Sequence, residues 1–280
     1  MVSLVGGVIL LAPLVALAAI CVHMVRRVPK PADIVWLAGH IPGSHQESDF
    51  YSAYLQRQLR FRAIGGLAGA LVAVVLATRY FGMPLIRIGT FDLPFTDALW
   101  MGIAGVVVGG LAAESYRVKL PSGPRAAGLE PRPDLVPRGV QWMARALFAA
   151  CLVLALIGLA AGDGSAALIF TAMAAVPVVL AELTSWAIAG RARPLLEAPV
   201  MDADLAVRRF AGRATVWLEL SVALLALPRV LPEAPAATAW EFWRAVISWA
   251  CLVAAIVAFL RSKVRAPRAW RTEFEASRLP

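Results

Sequence analysis

The chain has 280 residues, of which 60% are hydrophobic and 16% charged, and its mean hydropathy is +0.72. A soluble domain carries about 25% charged residues, so this composition excludes an ordinary water-soluble fold and predicts an all-α, membrane-embedded one. The net charge is +9, and only Lys30, Lys119 and Lys263 among the basic residues are lysine. That bias, with the heavy alanine use, reads as a high-GC genome; an arginine-specific phosphate or carboxylate site is the alternative.

A helix crossing the hydrocarbon core needs about 20 mainly apolar residues. Seven runs qualify, at 3–25, 63–83, 97–116, 141–161, 166–189, 214–231 and 240–260. The first has no positive charge ahead of it and is followed by Arg26 and Arg27, the order expected of an uncleaved anchor with its N-terminus outside. Cys21 follows Ile20 rather than a small residue, so no lipid anchor is expected. Cys151 and Cys251 each stand alone in an apolar run and read as small buried hydrophobes.

The segment 26–62 is the longest between runs, yet too short for a separate soluble domain of ordinary size. Its His40, His45, Glu47 and Asp49 are metal-capable residue types, but their spacing fits no ligand pattern, so a solvated loop turning at Pro42 and Gly43 is expected. Tyr51, Leu55 and Leu59 then recur at helical spacing, with Arg57 and Arg60 elsewhere on the wheel. This predicts a basic amphipathic stretch on the inner leaflet that feeds the second span. Residues 134–145 and 202–213 hold the same place before the fourth and sixth spans, and Trp270 marks an interfacial anchor in the tail. In the second span Arg79 is expected to snorkel toward the near interface. Gly65 and Gly69, and Gly105 and Gly109, are small-xxx-small pairs that predict close helix packing within the chain.

Orientation follows from the basic residues, which favour cytoplasmic loops. Segments 26–62, 117–145, 191–213 and 261–280 hold 6, 6, 5 and 6 of them, and the alternate connections hold only Arg79, Arg87, Arg229 and Arg244. The expectation is seven transmembrane helices in one domain over 1–280, N-terminus outside, C-terminus in the cytoplasm, in the plasma (inner) membrane. The cytoplasmic segments are 26–62, 117–140, 191–213 and 261–280.

Glu114 precedes Arg145 by 31 residues, and Glu182 precedes Arg213 by the same interval. With the echo of Asp134-Leu135 in Asp204-Leu205, this suggests a parallel hairpin repeat of 97–161 and 166–231; chance similarity in an alanine-rich chain is the alternative.

An ionisable group deep in a span is costly and usually faces the bundle interior with a partner. At about 1.5 Å per residue, Glu114 lies only ~5 Å from Arg117 along the helix and reads as interfacial, whereas Glu219 lies about 9 Å in from Arg213 and Glu182 about 13 Å in from Arg191. Two readings of Glu182 and Glu219 stand side by side. One is an ion pair or hydrogen bond fastening helices, with Arg62, Arg145 or Arg213 as partner and Thr184, Ser185 and Ser221 as further donors. The other is a proton- or cation-binding carboxylate pair opening to the cytoplasm, titrating as a unit.

No span contains lysine, which excludes a retinal Schiff base, and none holds paired histidines for haem. Phosphate-loop, HExxH and GxSxG motifs are missing, so no catalytic residue, metal or cofactor is expected. The expected partners are the bilayer, anionic lipids at the cytoplasmic face and a membrane or cytoplasmic protein, not nucleic acid. The expected function is a non-enzymatic accessory or scaffold subunit with a basic cytoplasmic docking face. The alternative is a small secondary transporter or proton-coupled carrier using Glu182, Glu219 and Glu114.

Overall fold

The computed structural model describes residues 28–80, 96–115, 125–126, 136–162, 165–190, 193–194, 198–231 and 238–262, with isolated positions between 15 and 26 and between 266 and 274. Most of the expected first span, with Cys21, most of segment 117–140 and most of the tail lie outside the described residues. Among the described residues the chain forms seven helices: α1 (Pro31–Ala38), α2 (His45–Tyr80), α3 (Thr96–Ser115), α4 (Arg138–Ala160), α5 (Ser165–Gly190), α6 (Ala198–Val230) and α7 (Thr238–Arg261). Two-residue strands β1 (Arg125–Ala126) and β2 (Arg193–Pro194) pair antiparallel, Arg125 opposite Pro194 and Ala126 opposite Arg193. Sequence periodicity carried no sign of that pairing.

Four helices are long and apolar enough to cross a membrane: Arg138–Ala160, Ala167–Ala189, Asp202–Val230 and Ala239–Arg261. They match the expected fourth to seventh spans. Met101–Glu114 is a shorter apolar helix, within the expected third span.

By contacts the chain divides into two units, Met1–Arg27 with Gln56–Ala113 and Val28–Leu55 with Glu114–Pro280. In the first, α2 and α3 touch backbone to backbone. A Cβ added at Gly65 would strike the carbonyl oxygen of Gly105, and one added at Gly109 would strike that of Phe61. The two small-residue pairs therefore meet each other, because only hydrogen side chains leave room for this approach.

In the second unit α6 is the centre. It packs against α4, α5 and α7, and α4 also packs against α5. Accordingly 72% of its most apolar stretch is buried, against 17%, 33% and 22% for α4, α5 and α7. The outward faces of the surrounding helices carry Leu152, Val153, Leu156, Val179, Leu183, Val253 and Val257, all exposed. So broad an apolar surface suits hydrocarbon rather than water. Pro177 and Pro228 sit inside α5 and α6, as membrane helices tolerate when neighbours re-satisfy the freed backbone groups.

The stretch 49–62 departs from the expectation of a helix lying on lipid. It runs without a break into the second span as α2, and Tyr51 and Leu55 form a buried cluster with Ile34, Leu37, Ala203 and Val207. Trp36 and Tyr54 each set an edge against Phe210. The apolar stripe thus faces α1 and the start of α6. Residues 202–213 are likewise the continuous first part of α6.

Two local devices shape this end. Helix α1 stops at Gly39, whose φ of 76° lets its N–H reach back to Val35 O. Helix α2 starts with a side-chain cap: the Glu47 N–H donates to Ser44 Oγ at 3.2 Å, and the Glu47 carboxylate accepts from the N–H of Gly43, one residue before the cap, at 3.0 Å. The His40 ring lies 2.9 Å from the same carboxylate. Glu47, expected in a solvated loop, is therefore buried, because it satisfies the first turn of α2.

Candidate functional site

The polar groups of the spans converge where α4, α5 and α6 meet. Gln141 and Arg145 are four residues apart on α4 and so share a face. Both reach Glu182 on α5. Arg145 Nε donates to Glu182 Oε1 at 2.5 Å, Nη2 donates to Oε2 at 2.8 Å, and Gln141 Nε2 donates to Oε2 at 3.3 Å. This two-pronged arrangement is the strong form of the arginine–carboxylate bond. The guanidinium also lies over the Trp142 ring, 5.4 Å from its centroid.

The pair sits at the outer margin of the bundle, with 42% of the Arg145 side chain and 32% of Glu182 exposed. Trp142 and Trp186 are exposed beside it, residues that suit the headgroup level. Glu219 of α6 lies behind the pair, within side-chain interaction range of Glu182 and electrostatic range of Arg145. It is 0% exposed, and neither of its oxygens receives a hydrogen bond from the described residues. Two ionised carboxylates facing each other are both acceptors, and one proton shared between them turns one into a donor to the other.

Further hydroxyls are buried on α5 and α6. Ser221 Oγ donates to Ala255 O of α7 at 3.0 Å. Ser185 Oγ and Thr215 Oγ1 are buried with no partner among the described residues. Thr184 is buried on α5.

Of the three arginines expected as partners, Arg145 is the one that meets Glu182. Arg213 is exposed on α6, and Arg62 is buried on α2 in the other unit. Glu114, which its position along the chain made interfacial, is buried and accepts from Tyr54 Oη at 2.6 Å. The acid of one suggested hairpin thus pairs with the arginine of the other, since Arg145 belongs to 97–161 and Glu182 to 166–231.

Sequence reasoning passed over Gln141 and Thr215. The signal for Gln141 was its i−4 spacing from Arg145; for Thr215, the same spacing from Glu219. Among the described residues no group of three or more His, Cys, Asp or Glu is gathered to hold a metal ion.

A second polar centre lies on the basic side of the bundle. Asp33 of α1 accepts from the Ala266 N–H at 3.0 Å and from Arg271 Nη2 at 2.8 Å, tying the start of the tail to the first basic segment. Nearby Tyr51 is wholly buried, and burial, followed by the Glu47 and Asp202 carboxylates, pushes its phenol up to about 12.

No family model, curated protein or solved structure matches this chain, so the site's own geometry carries the functional argument.

Proposed function

We propose that the chain is a seven-span plasma-membrane protein, N-terminus outside and C-terminus in the cytoplasm, that works as a non-enzymatic accessory or scaffold subunit. Its basic cytoplasmic face would dock anionic lipid headgroups and a protein partner. One observation carries this reading: the four basic segments are joined to one another in space. Segment 26–62 meets 191–213 through the Tyr51–Val207 cluster. It meets 261–280 through Asp33 and Arg271. The strand pair ties the segment containing Arg125 to that containing Arg193. Segments that touch must share one side of a bilayer, which supports the alternation read from charge.

The test uses chain purified from its native membranes in mild detergent. A stoichiometric second component is expected, lost when the exposed Arg138, Arg209 and Arg213 are changed to glutamine while circular dichroism shows the helices intact. A monomer that alone sustains flux in proteoliposomes would overturn the reading. Labelling of single cysteines placed at Gly43 and Gly139 tests the orientation; reaction with an impermeant reagent from outside would sink it.

A proton- or cation-coupled carrier is the second reading, favoured by the buried Glu219 with no donor on either oxygen. It expects Glu182→Gln and Glu219→Gln each to abolish a pH-dependent flux in proteoliposomes; wild-type flux in both would dismiss it.

A further inference from the structure

Three contacts fix how α6 and α7 lie along each other. Ser221 Oγ donates to Ala255 O at 3.0 Å, Leu220 shares a buried cluster with Ala258, and the Arg261 guanidinium lies 5.6 Å from the centre of the Trp217 ring. Each step back along α6 is a step forward along α7, so the two helices run antiparallel and Trp217 stands level with the last turn of α7. Arg213 comes four residues before Trp217 and shares its face, about 6 Å further along the axis. Arg213 and Arg261 are therefore both neighbours of the Trp217 ring. Both are exposed, and neither forms an ion pair among the described residues. Arg145, Arg208 and Arg271, by contrast, are each held by a carboxylate.

Behind the two arginines the surface is apolar. Helices α4 and α7 both pack along α6 and not along each other, which leaves a groove on α6 between them. Ala144 of α4, Leu220 of α6 and Ala258 of α7 form its buried base. Val140 and Leu147 of α4, with Trp217 and Leu224 of α6, pack against that base and stay partly exposed, so they line the groove. From Trp217 to Leu224 it runs about 10 Å along α6. Its lining offers hydrocarbon contact alone, whereas its mouth offers two positive charges.

Any bilayer lipid can lay an acyl chain in such a groove, so the mouth makes the choice. A zwitterionic headgroup brings its own cation, which two unpaired guanidinium groups repel. An anionic headgroup brings a phosphate with no such cation. Arginine takes phosphate through two parallel N–H···O bonds, and tryptophan favours the headgroup level. Basic pockets between transmembrane helices are a recurrent seat for anionic headgroups.

We propose that the groove between α4 and α7 holds one anionic phospholipid, its phosphate between Arg213 and Arg261 beside Trp217 and one acyl chain along Val140, Leu147 and Leu224. This inference rests on the lipid-docking part of the proposed function and gives it a single seat. It needs neither the protein partner nor the orientation.

The test is thermal unfolding of the purified full chain in detergent micelles with increasing dioleoylphosphatidylglycerol, or with dioleoylphosphatidylcholine in its place. A saturable rise in Tm with the anionic lipid is expected, because a ligand that binds only the folded state stabilises it. The zwitterionic lipid gives none. Arg213→Gln and Arg261→Gln each raise the half-saturating lipid fraction roughly five-fold, the equivalent of about 1 kcal/mol per arginine. Val140→Trp, which fills the groove and leaves the charges in place, weakens the response as well. Arg244→Gln, at the opposite end of α7, leaves it unchanged. Equal responses to the two lipids overturn the proposal and the lipid-docking reading with it. An anionic-lipid response that is intact in the Arg213→Gln, Arg261→Gln double variant overturns the groove site alone, and lipid docking then falls to Arg138 and Arg209. A rise that inorganic phosphate reproduces also overturns the groove site, since no chain is then needed. Arg213 is exposed, so its variant keeps the test decisive if Arg261→Gln does not fold.

Discussion

Gly105→Ala is expected to destabilise the α2–α3 contact by about 1–3 kcal/mol, the usual cost of overpacking. The magnitude follows from the crossing. A Cβ at Gly105 would lie 2.9 Å from Gly69 Cα and 2.9 Å from the Gly65 carbonyl carbon, and would strike the Gly65 oxygen. All three obstacles are backbone, so no side chain can swing aside. Ordinary carbon contacts begin near 3.5 Å, and the helices must part by roughly 0.5–1 Å, weakening the dispersion contacts along their seam. In water an alanine would recover up to about 1 kcal/mol through helix propensity. In a bilayer the separated helices remain helical, so that gain is largely lost. Gly139→Ala is the matched control, because a Cβ there meets nothing within 4 Å. The assay is reversible unfolding in mixed micelles followed by energy transfer between labels placed on α2 and α3. Equal unfolding free energies for Gly105→Ala and Gly139→Ala would refute the close crossing.

Three further outcomes are expected. A double-mutant cycle on Arg145→Gln and Glu182→Gln should give a coupling energy of about 0.5–3 kcal/mol, read from unfolding in detergent, and additive effects would mean the two-pronged bond contributes nothing. Asp33→Ala should cost about 1.5–3 kcal/mol by losing the charge-assisted bond from Arg271 and the bond from Ala266, and should speed hydrogen exchange and proteolysis in the tail; an unchanged cleavage pattern contradicts the tie. Tyr51→Phe should be neutral or stabilising by about 1 kcal/mol, since the buried hydroxyl has no partner among the described residues. With its phenol raised to about 12 in the fold against 10.0 ordinarily, Tyr51 has no effect on the pH dependence of stability below pH 10, and the wild-type fold loses stability relative to Tyr51→Phe as pH rises from 10 toward 12, where only the unfolded chain ionises. A tyrosinate absorbance titration of wild type against Tyr51→Phe checks this, and a midpoint at the ordinary value would refute it.

Much of the helical layout was legible because hydrophobic length is a one-dimensional property. The runs 141–161, 166–189 and 240–260 fall within a few residues of α4, α5 and α7. The 49–62 stretch was legible as a helix but not in its surroundings. The stripe of Tyr51 and Leu55 would suit lipid or protein equally, and only the nearness of Ile34 and Val207 decides for protein. Depth along the helix ranked Glu182 above Glu114, yet Glu114 is the more buried of the two. Rise per residue measures distance along an axis, whereas burial depends on which side of the helix faces a neighbour.

By itself, the sequence determined that the chain is helical and suited to hydrocarbon, that its basic residues alternate between connections, and that Glu182 and Glu219 are acids in need of partners. These follow from composition and period, which survive without knowing any contact. Only the tertiary structure decided that Arg145, rather than Arg62 or Arg213, grips Glu182, and that α6 is the buried centre. It also decided that Glu219 is wholly buried behind that pair. Such choices depend on helix rotation and register. A single amphipathic or apolar helix leaves both undetermined until its neighbours pack against it.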